Sequence, residues 1–150
     1  MTIAITSRRT FLFASGSVAA LTFIPTLVSA SNGWEETLDS LVGTSEPSQG
    51  AITLEMPEIA ENGNVVPFDI FVDSPMSKDN YVAEIHVVTT GNPTPEVASY
   101  HLSPTMGEAQ VSSRMRLGKT QEVYAVAKMS NGNIIGVKTE VKVTIGGCGG

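Results

Sequence analysis

The alternation of apolar and polar residues between positions 51 and 145 most constrains what this chain can fold into. Within 111–117, for example, Val111, Met115 and Leu117 face one way while Arg114 and Arg116 face the other. A period of two is that of a β-strand with one buried and one solvated face. Seven segments separated by turn residues have this character, at 51–56, 65–73, 81–89, 97–102, 109–117, 122–129 and 134–145.

Turn sequences separate these segments. They are "E-N-G-N" at 61–64, "G-N-P-T-P" at 91–95 and "S-N-G-N" at 130–133. The last predicts a hairpin, because Asn-Gly tolerates positive φ at both turn positions. About seven short strands in some 100 residues predict an all-β protein, an antiparallel β-sandwich of immunoglobulin-like type. The cysteine and tryptophan markers of antibody domains are absent.

A short helix is expected before the strands, in "S-N-G-W-E-E-T-L-D-S-L-V-G" at 31–43. Apolar residues recur at helical spacing from Trp34 to Val42. Asn32 is predicted to cap its start, and Gly43 to end it.

The first 30 residues have the pattern of an export signal. Arg8 and Arg9 precede an uncharged stretch, and Val28-Ser29-Ala30 offers the small side chains that a signal peptidase reads. The adjacent arginines in "S-R-R-T-F-L" favour the twin-arginine route to the periplasm, with cleavage after Ala30. An uncleaved membrane anchor is the alternative, since the stretch is just long enough to span a bilayer.

Charge and cysteine content narrow the function of the exported chain. The formal net charge is −6, and loss of two arginines leaves 7 basic against 15 acidic residues, a net charge of −8. Such acidity argues against nucleic acid and anionic lipid as partners. The single cysteine excludes an internal disulfide and leaves a thiol for another purpose.

No catalytic or metal-binding motif is present. His86 and His101 lack metal-ligand spacing and are interpreted as half-exposed strand residues. Arg114 and Arg116 are interpreted as a solvated strand face rather than an anion site. We therefore predict no catalytic residue, no metal and no cofactor.

The remaining candidate is Cys148, which lies between Gly146, Gly147, Gly149 and Gly150 at the end of the chain. Glycine has no side chain to pack and loses much entropy when ordered, so residues 146–150 are predicted to be a flexible arm with an exposed thiol. With Ile145 as the last anchored residue of a 31–145 domain, Cys148 would stand about 10 Å away. This pattern favours a covalent carrier over an enzyme.

Several segments together resemble the SoxY family of sulfur-compound carriers in bacterial thiosulfate oxidation. They are "P-E-I-A-E-N-G-N-V-V-P" at 57–67, "V-D-S-P-M" at 72–76, "G-N-P-T-P" at 91–95, "S-R-M-R-L-G-K-T-Q" at 113–121 and the terminal "V-K-V-T-I-G-G-C-G-G". The resemblance implies that Cys148 carries pathway intermediates as a cysteine S-conjugate. It also implies a heterodimer with SoxZ and three enzyme partners: the SoxAX c-type cytochrome, the SoxB hydrolase and, where present, the SoxCD sulfane dehydrogenase.

Two other functions remain open for the tail. The terminal Gly-Gly resembles that of a sulfur donor whose last carboxylate becomes a thiocarboxylate, although activation would need ATP, which argues against it in an exported protein. Alternatively, Cys148 forms an intermolecular disulfide that holds a homodimer.

Overall fold

The computed structural model describes residues 32–147. Its elements are α1 (Trp34–Val42), β1 (Ile52–Glu55), β2 (Ile59–Ala60), β3 (Val66–Val72), β4 (Val82–Thr89), β5 (Glu96–His101), a 3-10 turn (Pro104–Met106), β6 (Ala109–Met115), β7 (Gln121–Met129) and β8 (Ile134–Val143). All seven predicted strands are present. The sequence did not predict β2, because two residues are too few to establish a period.

The strands form two sheets. One has the order β1-β3-β6 and the other β2-β8-β7-β4-β5. Every neighbouring pair is antiparallel except β2 and β8, which pair in parallel over two residues. The predicted antiparallel sandwich with an N-terminal helix is therefore confirmed, with one parallel pair at an edge.

The core lies between the sheets. Strand β3 alternates strictly between buried and exposed residues, and it places Phe68 and Ile70 against Ile85 and Val123 of the other sheet in one apolar cluster. Each fully buried side chain of this size contributes about 1.5–3 kcal/mol to folding. The alternation of period two along β3 thus directs one set of its side chains into the core between the sheets.

Helix α1 covers the opposite face of the five-stranded sheet. Leu38 and Val42 pack there against Val88 and Val126 in a second, separate cluster. Strand β4 is consequently buried on both faces, which explains why residues 85–89 are all buried and do not alternate.

The helix ends at Gly43 as predicted, with φ 83°. Its predicted start is wrong, because Gly33 rather than Asn32 occupies the N-cap position. The Asn32 side chain instead donates hydrogen bonds to the carbonyls of Thr89 and Asn92, at 3.3 and 2.6 Å. Asn32 therefore ties the helix start to the loop after β4.

The predicted hairpin joins β7 to β8 and is confirmed. Gly132 has φ 86°, whereas Asn131 does not have a positive φ. The Asn131 side chain accepts a hydrogen bond from the backbone N–H of Asn133 at 2.9 Å, so it supports the turn without entering the left-handed region.

Candidate functional site: the root of the C-terminal arm

The predicted site residues fall partly outside the structure. Arg8 and Arg9, with the rest of the proposed signal, and Cys148, Gly149 and Gly150 lie outside the described residues. The structure does describe Gly146 and Gly147, the two residues that precede the cysteine. They and their contacts are called the arm root below.

Backbone hydrogen bonds hold the arm root against the domain. Gly147 N–H donates to the carbonyl of Leu117 at 2.9 Å, and Gly63 N–H donates to the carbonyl of Ile145 at 2.8 Å. Leu117 N–H in turn donates to the carbonyl of Gly63 at 2.8 Å, which closes the contact between the two loops. Gly147 is buried.

The expectation named Ile145 as the last anchored residue, and in the structure Gly147 N–H is also hydrogen-bonded to the domain. Flexibility was predicted from glycine content alone, but loops 61–64 and 116–121 lie on either side of the chain beyond β8 and satisfy its backbone groups. Hydrogen bonds with the domain extend to Gly147, two residues beyond the predicted boundary.

Glycine is required at the root because the backbones approach too closely for a side chain. A Cβ on Gly146 would lie 2.2 Å from the carbonyl oxygen of Gly118, and one on Gly147 would lie 2.6 Å from that of Gly63. A Cβ on Gly63 would lie 2.2 Å from the carbonyl oxygen of Leu117. Gly118 differs, since its nearest atoms would be 3.8 Å or more from a Cβ.

Two buried amide side chains brace the loop that accepts Gly147. Asn92 donates to the carbonyl of Arg116 at 2.8 Å and accepts from the N–H of Gly118 at 3.0 Å. Gln121 donates to Asn92 Oδ1 at 2.8 Å and to the carbonyl of Lys119 at 3.1 Å. Asn92 is 2% exposed and Gln121 6% exposed, so these bonds form largely away from water.

Side chains also fasten both loops to the end of β8. Thr120 Oγ1 accepts a hydrogen bond from the backbone N–H of Val143 at 3.0 Å. Thr144 Oγ1 donates to the carbonyl of Glu61 at 2.9 Å. The arm root is thus built from four segments that are distant in sequence: 61–64, 91–92, 116–121 and 143–147.

These four segments overlap the sequences that carry the family resemblance. Sequence reasoning interpreted "E-N-G-N" and "G-N-P-T-P" as turns and missed that they meet at the arm. The available signal was the glycine at 63, since an isolated glycine often marks close backbone approach.

The surface around the root carries exposed apolar and charged side chains. Ile145 is 68% exposed and Val65 is 57% exposed. Arg116 and Lys119, on either side of Leu117 and Gly118, are exposed and form no ion pair within residues 32–147. The solvated position predicted for Arg116 is confirmed, as it is for Arg114.

His86 is not half-exposed as predicted. It is 3% exposed, with Nδ1 2.7 Å from Ser99 Oγ and Nε2 3.1 Å from Glu84 Oε2. The hydrogen bond from His86 is the main cause that lowers the pKa of Glu84, helped by Lys128, against an opposing effect of burial. His101 also differs from the half-exposed position predicted for it, because it lies at the end of β5 and is exposed. Among residues 32–147, no cluster of three or more potential metal ligands occurs.

A groove of about 590 Å³ lies beside the helix and shares no residue with the arm root. Trp34 stacks on Tyr124 in it, with ring centroids 4.7 Å apart. Lys138 lies 5.6 Å from the Tyr124 ring centroid and pairs with Glu122 at 2.7 Å.

Within the described part of the chain, no helix is long and apolar enough to cross a membrane.

Fold and root together define a class of protein: a two-sheet β-sandwich that carries its only cysteine directly after an anchored C-terminal root. The family model described as "Sulfur oxidation protein SoxY" matches residues 38–148. The chain belongs to this SoxY family, and membership makes it a carrier protein of sulfur oxidation rather than an enzyme.

Solved structures agree with this assignment. The sulfur carrier protein SoxY from Chlorobium limicola f. thiosulfatophilum is 34% identical, with 74% of this chain and 96% of that chain covered and a TM-score of 0.61. A superoxide reductase (neelaredoxin) from Ignicoccus hospitalis is 18% identical, with 62% and 80% covered and a TM-score of 0.57. A hypothetical protein from Pyrococcus horikoshii is 12% identical, with 64% and 96% covered and a TM-score of 0.53. The last two show the fold alone. No curated protein sequence matches significantly.

Proposed function

We propose that this protein carries the sulfur intermediates of thiosulfate oxidation covalently on Cys148 in the periplasm. The observation that carries the proposal is the position of the only thiol, directly after a root held by backbone hydrogen bonds and at the end of the matched family region. Such a root offers partner enzymes a fixed surface to bind, directly before the thiol in the chain.

The chemistry proposed for Cys148 begins with an oxidative conjugation. The thiol loses its proton, a sulfur–sulfur bond forms to thiosulfate, and two electrons pass to a c-type cytochrome such as SoxAX. Water then attacks the terminal sulfone sulfur in a SoxB-type hydrolase, sulfate leaves and a persulfide remains on Cys148. Where SoxCD is present, it oxidises that remaining sulfur to a sulfonate with oxygen atoms from water, and the electrons pass to a c-type cytochrome. A second SoxB-type hydrolysis then releases sulfate and restores the Cys148 thiol.

Cys148 depends on its partners for activation. No lysine or arginine occurs within the tail. The thiolate is the nucleophile, and a neighbouring cation favours it over the thiol. In this proposal the enzymes that dock the arm supply such a cation.

Intact-mass measurement tests the carrier role. Protein isolated from thiosulfate-grown cells is expected to carry sulfur adducts on Cys148, and Cys148→Ser is expected to abolish thiosulfate oxidation while the melting temperature stays unchanged. Normal thiosulfate oxidation by cells with only the serine variant would refute the proposal.

A deletion of Gly149 and Gly150 separates the carrier from a thiocarboxylate donor, and reduction separates it from a disulfide-linked homodimer. A thiocarboxylate donor loses all activity without its terminal glycine, whereas a thiol carrier keeps Cys148 and its adducts. A homodimer held by a disulfide predicts that reduction abolishes function, whereas the carrier works as the reduced thiol.

Export by the twin-arginine route and pairing with SoxZ complete the proposal. Replacement of Arg8 and Arg9 by lysine is expected to retain the protein in the cytoplasm. SoxZ, which lacks its own signal in the family, is expected to stay behind with it. Periplasmic recovery of both proteins from that variant would contradict this route.

A further inference from the structure

We propose that loops 61–64 and 116–121 form a seat in which Gly146 and Gly147 dock, and that Asn92 and Gln121 are positioning residues that hold this seat in shape. The inference rests on the proposed carrier function, since it concerns how Cys148 is presented. It assigns the glycines before the cysteine a different purpose from flexibility.

The glycines fit the seat because they lack side chains. Gly146 packs against the carbonyl of Gly118 and Gly147 against that of Gly63, at distances that exclude a Cβ. A segment selected only to be mobile would not need such contacts. The close packing shows that at these two positions glycine is needed for docking.

The hydrogen bonds that hold the two glycines in the seat are opposed by the entropy cost of ordering them. Two backbone hydrogen bonds, from Gly63 to Ile145 and from Gly147 to Leu117, secure the root. Ordering glycine is more costly in entropy than ordering any other residue, and one hydrogen bond contributes only modestly after exchange with water. Small changes in the seat are therefore expected to release the arm.

Asn92 and Gln121 act on the arm indirectly. They bind the backbone of residues 116, 118 and 119, on either side of the carbonyl that accepts Gly147 N–H. Gln121 Oε1 also accepts a hydrogen bond from Gly91 N–H at 2.7 Å, which joins the two loops. Without this brace the Leu117 carbonyl loses its fixed direction, although the sheets remain intact.

A seated root limits how far the thiol reaches. Only one peptide unit separates Gly147 from Cys148, so a partner must either approach the root surface or lift the glycines from the seat. The exposed side chains of Ile145 and Val65 border the root. An enzyme that engages the seated thiol therefore contacts this surface.

The test measures arm mobility in the purified protein with no partner present. Gly147→Ala and Asn92→Ala are compared with Gly118→Ala, which adds a Cβ in the same loop where there is room for it. The ¹⁵N order parameter of the residue 147 amide is expected near 0.85 in the wild type and in Gly118→Ala. It is expected to fall below about 0.6 in the other two variants, while amides of β4 and β7 stay rigid.

A nitroxide label on Cys148, the only thiol, gives a second readout. Its spectrum is expected to narrow in Gly147→Ala and Asn92→Ala but not in Gly118→Ala. An order parameter below about 0.6 in the wild type, or equal values in all four proteins, would overturn the seat. Neither readout depends on thiosulfate oxidation. The result is therefore independent of whether Cys148→Ser abolishes that activity.

Discussion

Asn92→Ala is expected to destabilise the folded domain far more than removal of an ordinary surface asparagine. The Asn92 side chain makes three hydrogen bonds, to the Arg116 carbonyl, the Gly118 N–H and Gln121 Nε2. Truncation leaves these three groups without their partner. A buried polar group left unsatisfied costs about 1–3 kcal/mol.

The total is smaller than three full penalties, because Gln121 Nε2 keeps its hydrogen bond to the Lys119 carbonyl. The expected loss in the free energy of unfolding is therefore about 3 kcal/mol, rather than the sum of three full penalties. With a urea m value of about 1.5 kcal/mol/M, the midpoint falls by about 2 M.

Urea unfolding can be followed through Trp34, the only tryptophan, whose ring stacks on Tyr124. The control is Asn131→Ala, which removes one hydrogen bond in an exposed turn. Its expected cost is below about 1 kcal/mol. A second variant, Gln121→Ala, allows a double-mutant cycle with Asn92→Ala, in which a coupling of at least about 1 kcal/mol is expected.

Equal losses in Asn92→Ala and Asn131→Ala would refute the reasoning, because they would mean that the buried amide network contributes nothing beyond one surface hydrogen bond. Additive losses in the cycle would likewise show that Asn92 and Gln121 do not act together.

Three further predictions concern charge and packing. The folded-state pKa of Glu84 is lowered, so its contribution to stability is present above its unfolded pKa of 4.5 and is lost as pH falls through the folded pKa. The difference in unfolding free energy between wild type and Glu84→Gln, measured by urea unfolding, should therefore shrink from pH 6 to pH 3. A constant difference would contradict this. Replacing Arg116 and Lys119 by glutamine should slow the reaction of Cys148 with an anionic disulfide about twofold at low salt but not with a neutral one, and equal slowing would exclude an electrostatic cause. Gly63→Ala should lower the melting temperature by several degrees in a calorimetric scan, because its Cβ would lie 2.2 Å from a carbonyl oxygen; an unchanged value would contradict the close packing.

Local patterns predicted most of the fold. The period of two located seven strands, since alternation along a strand reflects directly which face meets the core. Gly43 ended the helix as expected because its left-handed conformation is a local property. The period of two did not predict the burial of His86, because the sheet that contains it is covered on both faces. His86 is hydrogen-bonded to partners on β4 and β5, and the helix packs on the same sheet. The sequence of one strand does not reveal what covers it.

The candidate site was predicted in part. The sequence singled out Cys148 and its glycines, because an isolated thiol between residues that cannot pack is a local feature. It assigned Gly146 and Gly147 to a flexible arm, since composition measures the entropy that ordering would cost but not the contacts that offset it. Those contacts come from Gly63 and Leu117, which are distant along the chain.

The sequence by itself determined the strands, the helix end, the acidic charge and the position of the single thiol, all of which depend on neighbouring residues or on composition. Only the tertiary structure decided where the arm begins. The pairing of strands brings the loops at 63, 92 and 118 to the end of β8, and there backbone atoms distant in sequence approach within hydrogen-bonding distance. Gly147 has no evident partner in the sequence, but a hydrogen bond holds it in the folded protein. Its partner is set by the order of the strands in the sheets and not by its neighbours in the chain.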